Sequence, residues 1–597
     1  MSPEPFLTQF GHLADAPNGI AKLRELILQL AVKGELVPQD PNDEPASVLL
    51  ERIRAEKERL VSERMIKKTK SLPPIDPDET PFVVPNGWMW AHLTDVLGLV
   101  TDGDHQPPPR SESGKPFLVI GNLNQGRVTF EGCRWVPEAY YRELDWGRKP
   151  RIGDILYTVT GSYGIPIPVD CDTEFCVQRH VAIFKAAQST PSAYLMILLG
   201  SRYAFDYATA VATGIAQKTV PLKGLRTMPL PIAPIGEQSR IVAKVDQLMA
   251  LCDDLEAKQN QRTETHGHLI RAAHQPLTQP HDHAEFQAAW KRIRDNFDRL
   301  HTTTDSVKAL RQTILQLAVQ GRLVPQDPND EPASVLLEKI RAEKERLVAE
   351  GKIKKEKPLS PVGLVELPFD LPESWQRTRF GAVYLDSAAG WSLRAENRPA
   401  SDGEWGVLKV SAVSWGEFRS FENKALPTSL APRPQYEVMQ GDFLLSRANT
   451  ADLVARSVVV GTTPSRLMMS DKIIRLHLDS SLVDIRYLNL FNNSSFARAY
   501  YAKEAGGTSS SMKNVSRKQI ALLPVALPPR PEQSRIVARV EQLTVLCDEL
   551  ETKIEANQGT AQHFAETVVA ELAAQGVGGM VAVDHSHPSL ADPARHP

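Results

Sequence analysis

No stretch of this 597-residue sequence is apolar for long enough to cross a bilayer; the longest run, AYLMILLG, is far short of the roughly 20 residues that a spanning helix needs. The opening MSPEPFLTQF lacks a basic region followed by an apolar one, so no export signal is read in it. Cysteine is scarce. Cys133, Cys171, Cys176, Cys252 and Cys547 make an odd number in a long chain, and two of them stand at heptad positions, which implies reduced thiols and a soluble protein of the cytoplasm. An excess of charge of either sign is also missing: the formal net charge is −3, so bulk composition favours no class of partner and any nucleic-acid surface has to be local. Catalytic strings are absent as well. There is no G-x-x-x-x-G-K-[ST] to cradle a nucleotide phosphate, and no Asn-Pro-Pro-aromatic or Asp-Pro-Pro-aromatic string of the kind that holds an extruded base; HQPPPR at 105–110 lacks both the leading residue and the aromatic one. A complete enzyme in one chain is therefore disfavoured.

What is present is duplication, and it sets the architecture. EQSRIVAKVDQLMALCDDLEAK, from Glu237, returns as EQSRIVARVEQLTVLCDELETK from Glu532. Ile241, Val245, Leu248, Cys252 and Leu255 have the a/d spacing of a coiled coil, and so do Ile536, Val540, Leu543, Cys547 and Leu550. One helix cannot bury so narrow a stripe alone, and the expected partner of each copy is the other, in an antiparallel two-helix coiled coil. Each pattern runs about 37 residues, roughly 55 Å at 1.5 Å per residue. A second duplication pairs LRELILQLAVKGELVPQDPNDEPASVLLERIRAEKERLV, from Leu23, with LRQTILQLAVQGRLVPQDPNDEPASVLLEKIRAEKERLV, from Leu310. Ile20, Leu23, Ile27 and Leu30 form an apolar face, answered by Val307, Leu310, Ile314 and Leu317. Gly34 and Gly321 stand where a helix would end, and Pro45 and Pro332 suit the first turn of the next one.

Between these units the composition changes. From about Pro85 to Pro231, and again from about Pro372 to Pro528, the chain breaks into short runs rich in β-branched residues and Gly, such as FLVIGNL, DILYTV, VLKVSAV and RSVVVG. Each segment opens with Pro-x-x-Trp, at Trp88 and Trp375, and carries a Gly-Asp before an apolar strand, at Gly153-Asp154 and Gly441-Asp442. Each ends in a Pro-punctuated strand that delivers the chain into a heptad helix. The two segments share only such skeletal positions: VTDGDHQPPPRSESGKPFLVIGNLNQ has no close counterpart in LDSAAGWSLRAENRPASDGEWGVLKVSAV. A common frame with two different heads is built to contact two different things at a fixed separation.

The Pro-x-x-Trp opening, Gly-Asp-Ile-Leu and TGIAQKTVPLKGLRTMPLPIAPIGEQSRIV together resemble the specificity subunit of a type I restriction-modification system. LILQLA-x-x-G-x-LVPQDPNDEPASVLLE resembles the helical regions of the subfamily with an extended N-terminal segment. The resemblance covers the chain except its last twenty or so residues. It implies two target-recognition domains reading the halves of a split, asymmetric sequence in double-stranded DNA, with the coiled coil setting the unread spacer. It also implies that two modification (methyltransferase) subunits and restriction/translocase subunits are gathered on this chain. No cofactor is expected on this chain itself; S-adenosylmethionine, ATP and Mg are expected on the partner subunits.

Reading DNA needs cations and amides for phosphates and a few planar donors on loops that reach base edges. In the first head the candidates are His105, Gln106 and Arg110, then Asn122, Asn124 and Arg127, then Ser162 and Tyr163, and finally Gln217 and Lys218 in GIAQKTV. In the second they are Trp391, Ser392, Arg394, Arg447 and Asn449, with Lys513, Arg517 and Lys518 of SSSMKNVSRK as a phosphate clamp. Met512 stands where the family often has the Gln, so only charge is assigned there. Each residue taken singly also fits a plain solvent loop. Cys171, Cys176 and His180 lack a fourth ligand at a usual spacing and are read as strand residues, and His281, His283, His585 and His587 as solvated, so no metal is expected.

The expected fold is mixed α/β with internal pseudo-two-fold symmetry. A helical repeat at 1–84 precedes recognition domain 85–232, coiled-coil helix 233–275 and a linker and helix at 276–309; a second repeat at 310–360 precedes recognition domain 361–528, coiled-coil helix 529–575 and a disordered tail at 576–597. The competing class is a non-enzymatic coiled-coil scaffold whose heads bind proteins, a reading that the near-neutral charge supports.

Overall fold

The computed structural model describes residues 13–575 except 69–70, 77–79, 106–107, 124–125, 190–191, 216 and 510–511; the expected tail at 576–597 lies outside the described residues. The chain mixes helix and sheet and divides into two compact units. Unit one holds the residues up to Arg262 together with those from Asn557 onward, and unit two holds Thr263–Ala556.

Unit one begins with helix Gly19–Lys33, whose Leu23, Leu26, Ile27 and Leu30 are all buried, as three- and four-residue spacing requires of one helical face. The helix ends at Gly34 with φ +76°, a conformation that favours glycine; a Cβ there would also lie 2.6 Å from Pro85 Cγ and 2.8 Å from Trp88 Cζ2. Pro45 is the cap of the following helix, Ala46–Ser62, one residue before its expected place in the first turn.

The head of unit one is closed by an antiparallel clasp of its first and last strands, Met89–His92 and Pro229–Ile232, in the register Met89↔Ile232. Between them lie two sheets. One has four antiparallel strands in the order Leu99–Asp102, Val181–Lys185, Ile155–Thr158, Pro166–Pro168; the other has three, Arg134–Val136, Lys115–Leu118 and Cys176–Val177, the last pair parallel.

Unit two repeats this plan. Its clasp pairs Gln376–Arg379 with Pro524–Leu527; its four-stranded sheet runs Asp386–Ala389, Ile473–His477, Phe443–Ser446, Ser457–Val459; its three-stranded sheet runs Asn423–Ala425, Gly406–Leu408, Leu467–Met468. It adds a sheet of Ala448–Asn449, Met512–Asn514 and Gly506–Ser509, where the described residues of unit one show the bridges Thr160↔Thr219 and Thr213↔Thr219. The stretch expected as linker and helix is three helices, His283–Asp295, Phe297–Leu300 and Thr304–Val319.

The heptad helices are longer than their patterns, Ile235–Thr278 with 44 residues and Arg530–Gln575 with 46. Their heptad stripes lie in different cores, yet the second long helix does reach the first, since its Ala565 and Val569 lie in the core that holds Ile241. Ile241, Val245, Leu248 and Cys252 lie in one core with Leu23, Leu26, Ile27 and Leu30, with Leu255 packed against it; Ile536, Val540 and Cys547 lie in one core with Val307 and Ile314, with Leu543, Leu550 and Leu310 packed against it. The first stripe thus shares its core with the repeat helix Gly19–Lys33 and with Ala565 and Val569 of the second long helix, and the second stripe shares its core with the repeat helix of its own unit. The repeat helix carries an apolar stripe of the same width and a cation to lock it. Arg24 reaches Asp253 and Glu256 at 2.6 and 2.7 Å, and Arg311 reaches Asp548 and Glu551 at 2.5 and 3.1 Å.

Candidate nucleic-acid interface

Each head is fixed to the start of a long helix by the same set of polar contacts. Trp88 Nε1 donates to Glu237 Oε2 at 2.9 Å, Gln39 Nε2 donates to Glu237 Oε1 at 2.8 Å, and Arg240 pairs with Asp43 at 2.5 Å. In unit two Trp375 and Gln326 donate to Glu532 at 3.0 and 2.7 Å, and Arg535 pairs with Asp330 at 2.6 Å. Burial raises the carboxyls of Glu237 and Glu532 above the ordinary range, and the Trp and Gln donors pull them back. The duplicated QDPND and EQSR strings therefore meet, with the Pro-x-x-Trp opening of the head between them.

In the first head the structure brings together two stretches far apart in sequence. Gly161 N–H donates to the Lys218 carbonyl at 3.2 Å, and Thr160 bridges to Thr219, so the exposed Ser162 turn sits beside the exposed Gln217 and Lys218. Tyr163 is spent on the scaffold: its ring stacks on Phe205 at 5.8 Å with planes 7° apart, and its hydroxyl donates to Thr209 Oγ1 at 3.2 Å. Asn122 is a correction. It is 5% exposed, accepts from Val119 N–H and donates to the Glu131 carbonyl, each at 3.1 Å, so its amide brackets a 3-10 turn and is not presented to a ligand. His105 is exposed with Nε2 3.0 Å from Asp102 Oδ2, and Arg110 and Arg127 are exposed. Gln106 and Asn124 lie outside the described residues.

The second head uses the equivalent place. Strand Ala448–Asn449 pairs with Met512–Asn514 in the register Asn449↔Lys513, and Val515 N–H donates to the Arg447 carbonyl at 3.0 Å, which sets the exposed Arg447 beside the clamp sequence. Lys513 donates to the Gly507 carbonyl at 2.9 Å and Arg517 Nη1 to the Ser387 carbonyl at 3.0 Å; Lys518 is exposed. Trp391 is half-buried with the Arg433 guanidinium 4.1 Å above its ring, whereas Ser392 and Arg394 are exposed. Asn449 Nδ2 donates to Ser414 Oγ at 2.8 Å. That bond ties in a loop that sequence reading missed, with Trp415 and Phe421 exposed. The Trp-Gly of VSWGEF, a turn pair between two apolar runs, was the available signal.

Among the described residues no three His, Cys, Asp or Glu side chains gather as a metal site, and burial pushes the Cys176 thiol up to about 12. No helix among them is long and apolar enough to cross a membrane.

No family model matches the chain. The type I restriction enzyme EcoEI specificity subunit of Escherichia coli is 40% identical over 564 residues, covering 92% of this chain and 93% of its own length. The EcoAI specificity subunit of Escherichia coli is 34% identical over 568 residues, with coverage of 92% and 93%. A chain solved in work on complex assembly and conformational transition of the type I R-M system overlays with a TM-score of 0.44 at 17% identity, covering 83% of this chain and 99% of that one.

Proposed function

This chain belongs to the family of type I restriction enzyme specificity subunits, and from that premise we propose that residues 85–232 and 361–528 are two target-recognition domains, each reading one half of a split, asymmetric DNA sequence. A specificity subunit is non-catalytic, so methyl transfer and cleavage fall to partners. The observation that carries the reading is the pairing of one frame with two loop sets. The clasp, the orders of the four- and three-stranded sheets that the heads share and the Trp–Glu–Gln contacts are the same in both units, while the loops at the equivalent edge are Gly161–Ser162 with Gln217–Lys218 in one head and Arg447–Asn449 with Lys513 in the other.

Phosphate contacts come from the exposed cations Arg110, Arg127, Lys218, Arg394, Arg447 and Lys518, and base contacts from the loop side chains between them. Half-sites read from one face of a duplex have centres roughly 34–36 Å apart, and the long helices, which carry the chain from one unit into the other, set that spacing. The two helical repeats, 1–84 and 310–360, offer two equivalent places for modification subunits, to which restriction/translocase subunits add. S-adenosylmethionine, ATP and Mg then belong to those partners. The protein has no membrane role in this reading and works in the cytoplasm.

The near-neutral charge favours a second reading, a scaffold whose heads bind proteins. A salt titration of DNA binding separates the two. Recognition through phosphates gives log K falling linearly with log salt, with a slope of about −0.9 per phosphate neutralised. A scaffold gives no duplex binding to titrate, and that result would end the DNA reading.

A further inference from the structure

The loop Val410–Asn423 of the second head is held rigid at both ends and turns two large apolar side chains outward. Ala412 and Val413 are buried in the core beneath it, with Phe418 packed against that core. Ser414, 2% exposed, donates to the Val410 carbonyl at 2.6 Å and accepts from Asn449 Nδ2 at 2.8 Å. Gly416, at φ +84°, makes the turn, and Arg419 N–H closes the loop on the Ala412 carbonyl at 3.0 Å. Trp415 is left 56% exposed at the tip. The Arg419 guanidinium lies 5.8 Å from the ring centroid and is itself held by Glu417 at 2.8 Å. The indole thus stands next to Ser414, which is bonded to Asn449 of the strand that carries the candidate reading residues.

We infer that Trp415 is a specificity-determining residue of the second head and reads a thymine through its C5-methyl group. The inference rests on the DNA-reading role proposed above. Arg419 already covers one face of the ring and the loop backbone is bonded in place, so the indole is not free to lie flush between two base pairs; one face and its edge are available to a groove. The apolar group that a base pair displays in the major groove is the thymine methyl. In sequence, Gln125 precedes Gly126 where Trp415 precedes Gly416, so the first head has no indole at that position and this apolar contact is special to the second half-site.

The test uses the full chain assembled with its modification subunits and a duplex carrying the mapped target. Deoxyuridine replaces thymine throughout the second half-site, which removes the methyl groups and leaves the pairing intact. Binding of the unaltered protein is expected to weaken about four- to tenfold, the scale of one methyl lost from an apolar contact. Trp415→Ala is expected to bind the thymine duplex that much more weakly and to be indifferent to the replacement, while Trp415→Phe keeps part of the sensitivity. Replacement in the first half-site, read in parallel, is expected to leave the Trp415→Ala difference unchanged. Equal binding of thymine and deoxyuridine duplexes by the unaltered protein, or a second half-site with no thymine on either strand, overturns the inference. Salt-dependent duplex binding in the same assay shows in either case whether the DNA-reading role itself stands.

Discussion

Two buried imidazoles in unit two set a pH limit on its stability. His274 and His301 bring their Nε2 atoms to 3.2 Å; His301 Nδ1 is 3.1 Å from the Phe297 carbonyl, and His274 Nδ1 is 2.8 Å from Thr313 Oγ1. A carbonyl only accepts, so His301 carries its proton on Nδ1, and the Thr313 hydroxyl donates its own proton to the Ala309 carbonyl at 3.0 Å. Burial, with His301 adding to it, lowers His274 to about 4, and burial lowers His301 as well. Between pH 6.5 and about 4 the unfolded chain therefore binds the proton that the folded one refuses, and stability falls as pH falls through that window, by on the order of 3 kcal/mol at its lower end. Denaturant midpoints measured from pH 7.5 down to pH 4.5 are expected to drop, and to drop less in His274→Asn; equal slopes in both proteins would refute the account. This pair was not legible beforehand. The sequence offers His281 and His283 just as visibly, and both are exposed; burial, which separates the two sets, comes from the helix His283–Asp295 folding back, and no local pattern encodes that. Asn122 failed for the same reason, since a loop amide looks alike whether it faces a ligand or brackets its own turn.

The joint between head and helix depends on one carboxylate in each unit. Glu237 is 1% exposed and Glu532 is fully buried, and each takes one donor from a tryptophan and one from a glutamine. Removing the acceptor leaves two buried donors unpaired, at a cost of about 2 kcal/mol or more. Glu237→Ala and Glu532→Ala are each expected to lower the thermal midpoint by a similar amount, and the double variant by nearly their sum, since the two sets share no partner. Scanning calorimetry reads this directly; a loss confined to one variant would mean that the joints are not equivalent. The sequence displayed every participant, because QDPND, Pro-x-x-Trp and EQSR all occur twice. It could not say that they meet, because each string is constant in both copies and nothing links one to another. The heptad stripes left the partner open for a related reason: a/d spacing states how wide a face is, and two helices with faces of that width were on offer. The repeat helix, with its arginine already placed, packs on each stripe, and the second long helix joins the first core through Ala565 and Val569.

Much of the layout was legible in the duplication, including the closing strand of each clasp, whereas the opening strand was not and the candidate reading surface was legible only in part. Helices and strands announce themselves by period, and the two copies checked each other. Loop side chains carry no period, so Ser162 with Lys218 and Arg447 with Lys513 became neighbours only through bridges such as Thr160↔Thr219 and Ala448↔Asn514. The clasps make the modular reading testable. Because Met89–His92 pairs with Pro229–Ile232, the chain enters and leaves the first head at a single closed joint, and everything between can be exchanged without cutting a sheet. Replacing residues 85–232 by the corresponding segment of a relative, with Trp88 retained to reach Glu237, moves both clasp strands together and leaves the joint to the long helix in place. The chimaera, expressed with its partners, is expected to change one half of the recognised sequence and to keep both the other half and the spacing, as read by mapping methylated adenine across the genome. A change in both halves would mean that the heads do not read independently, and a change in spacing would mean that the head, rather than the long helices, sets the separation.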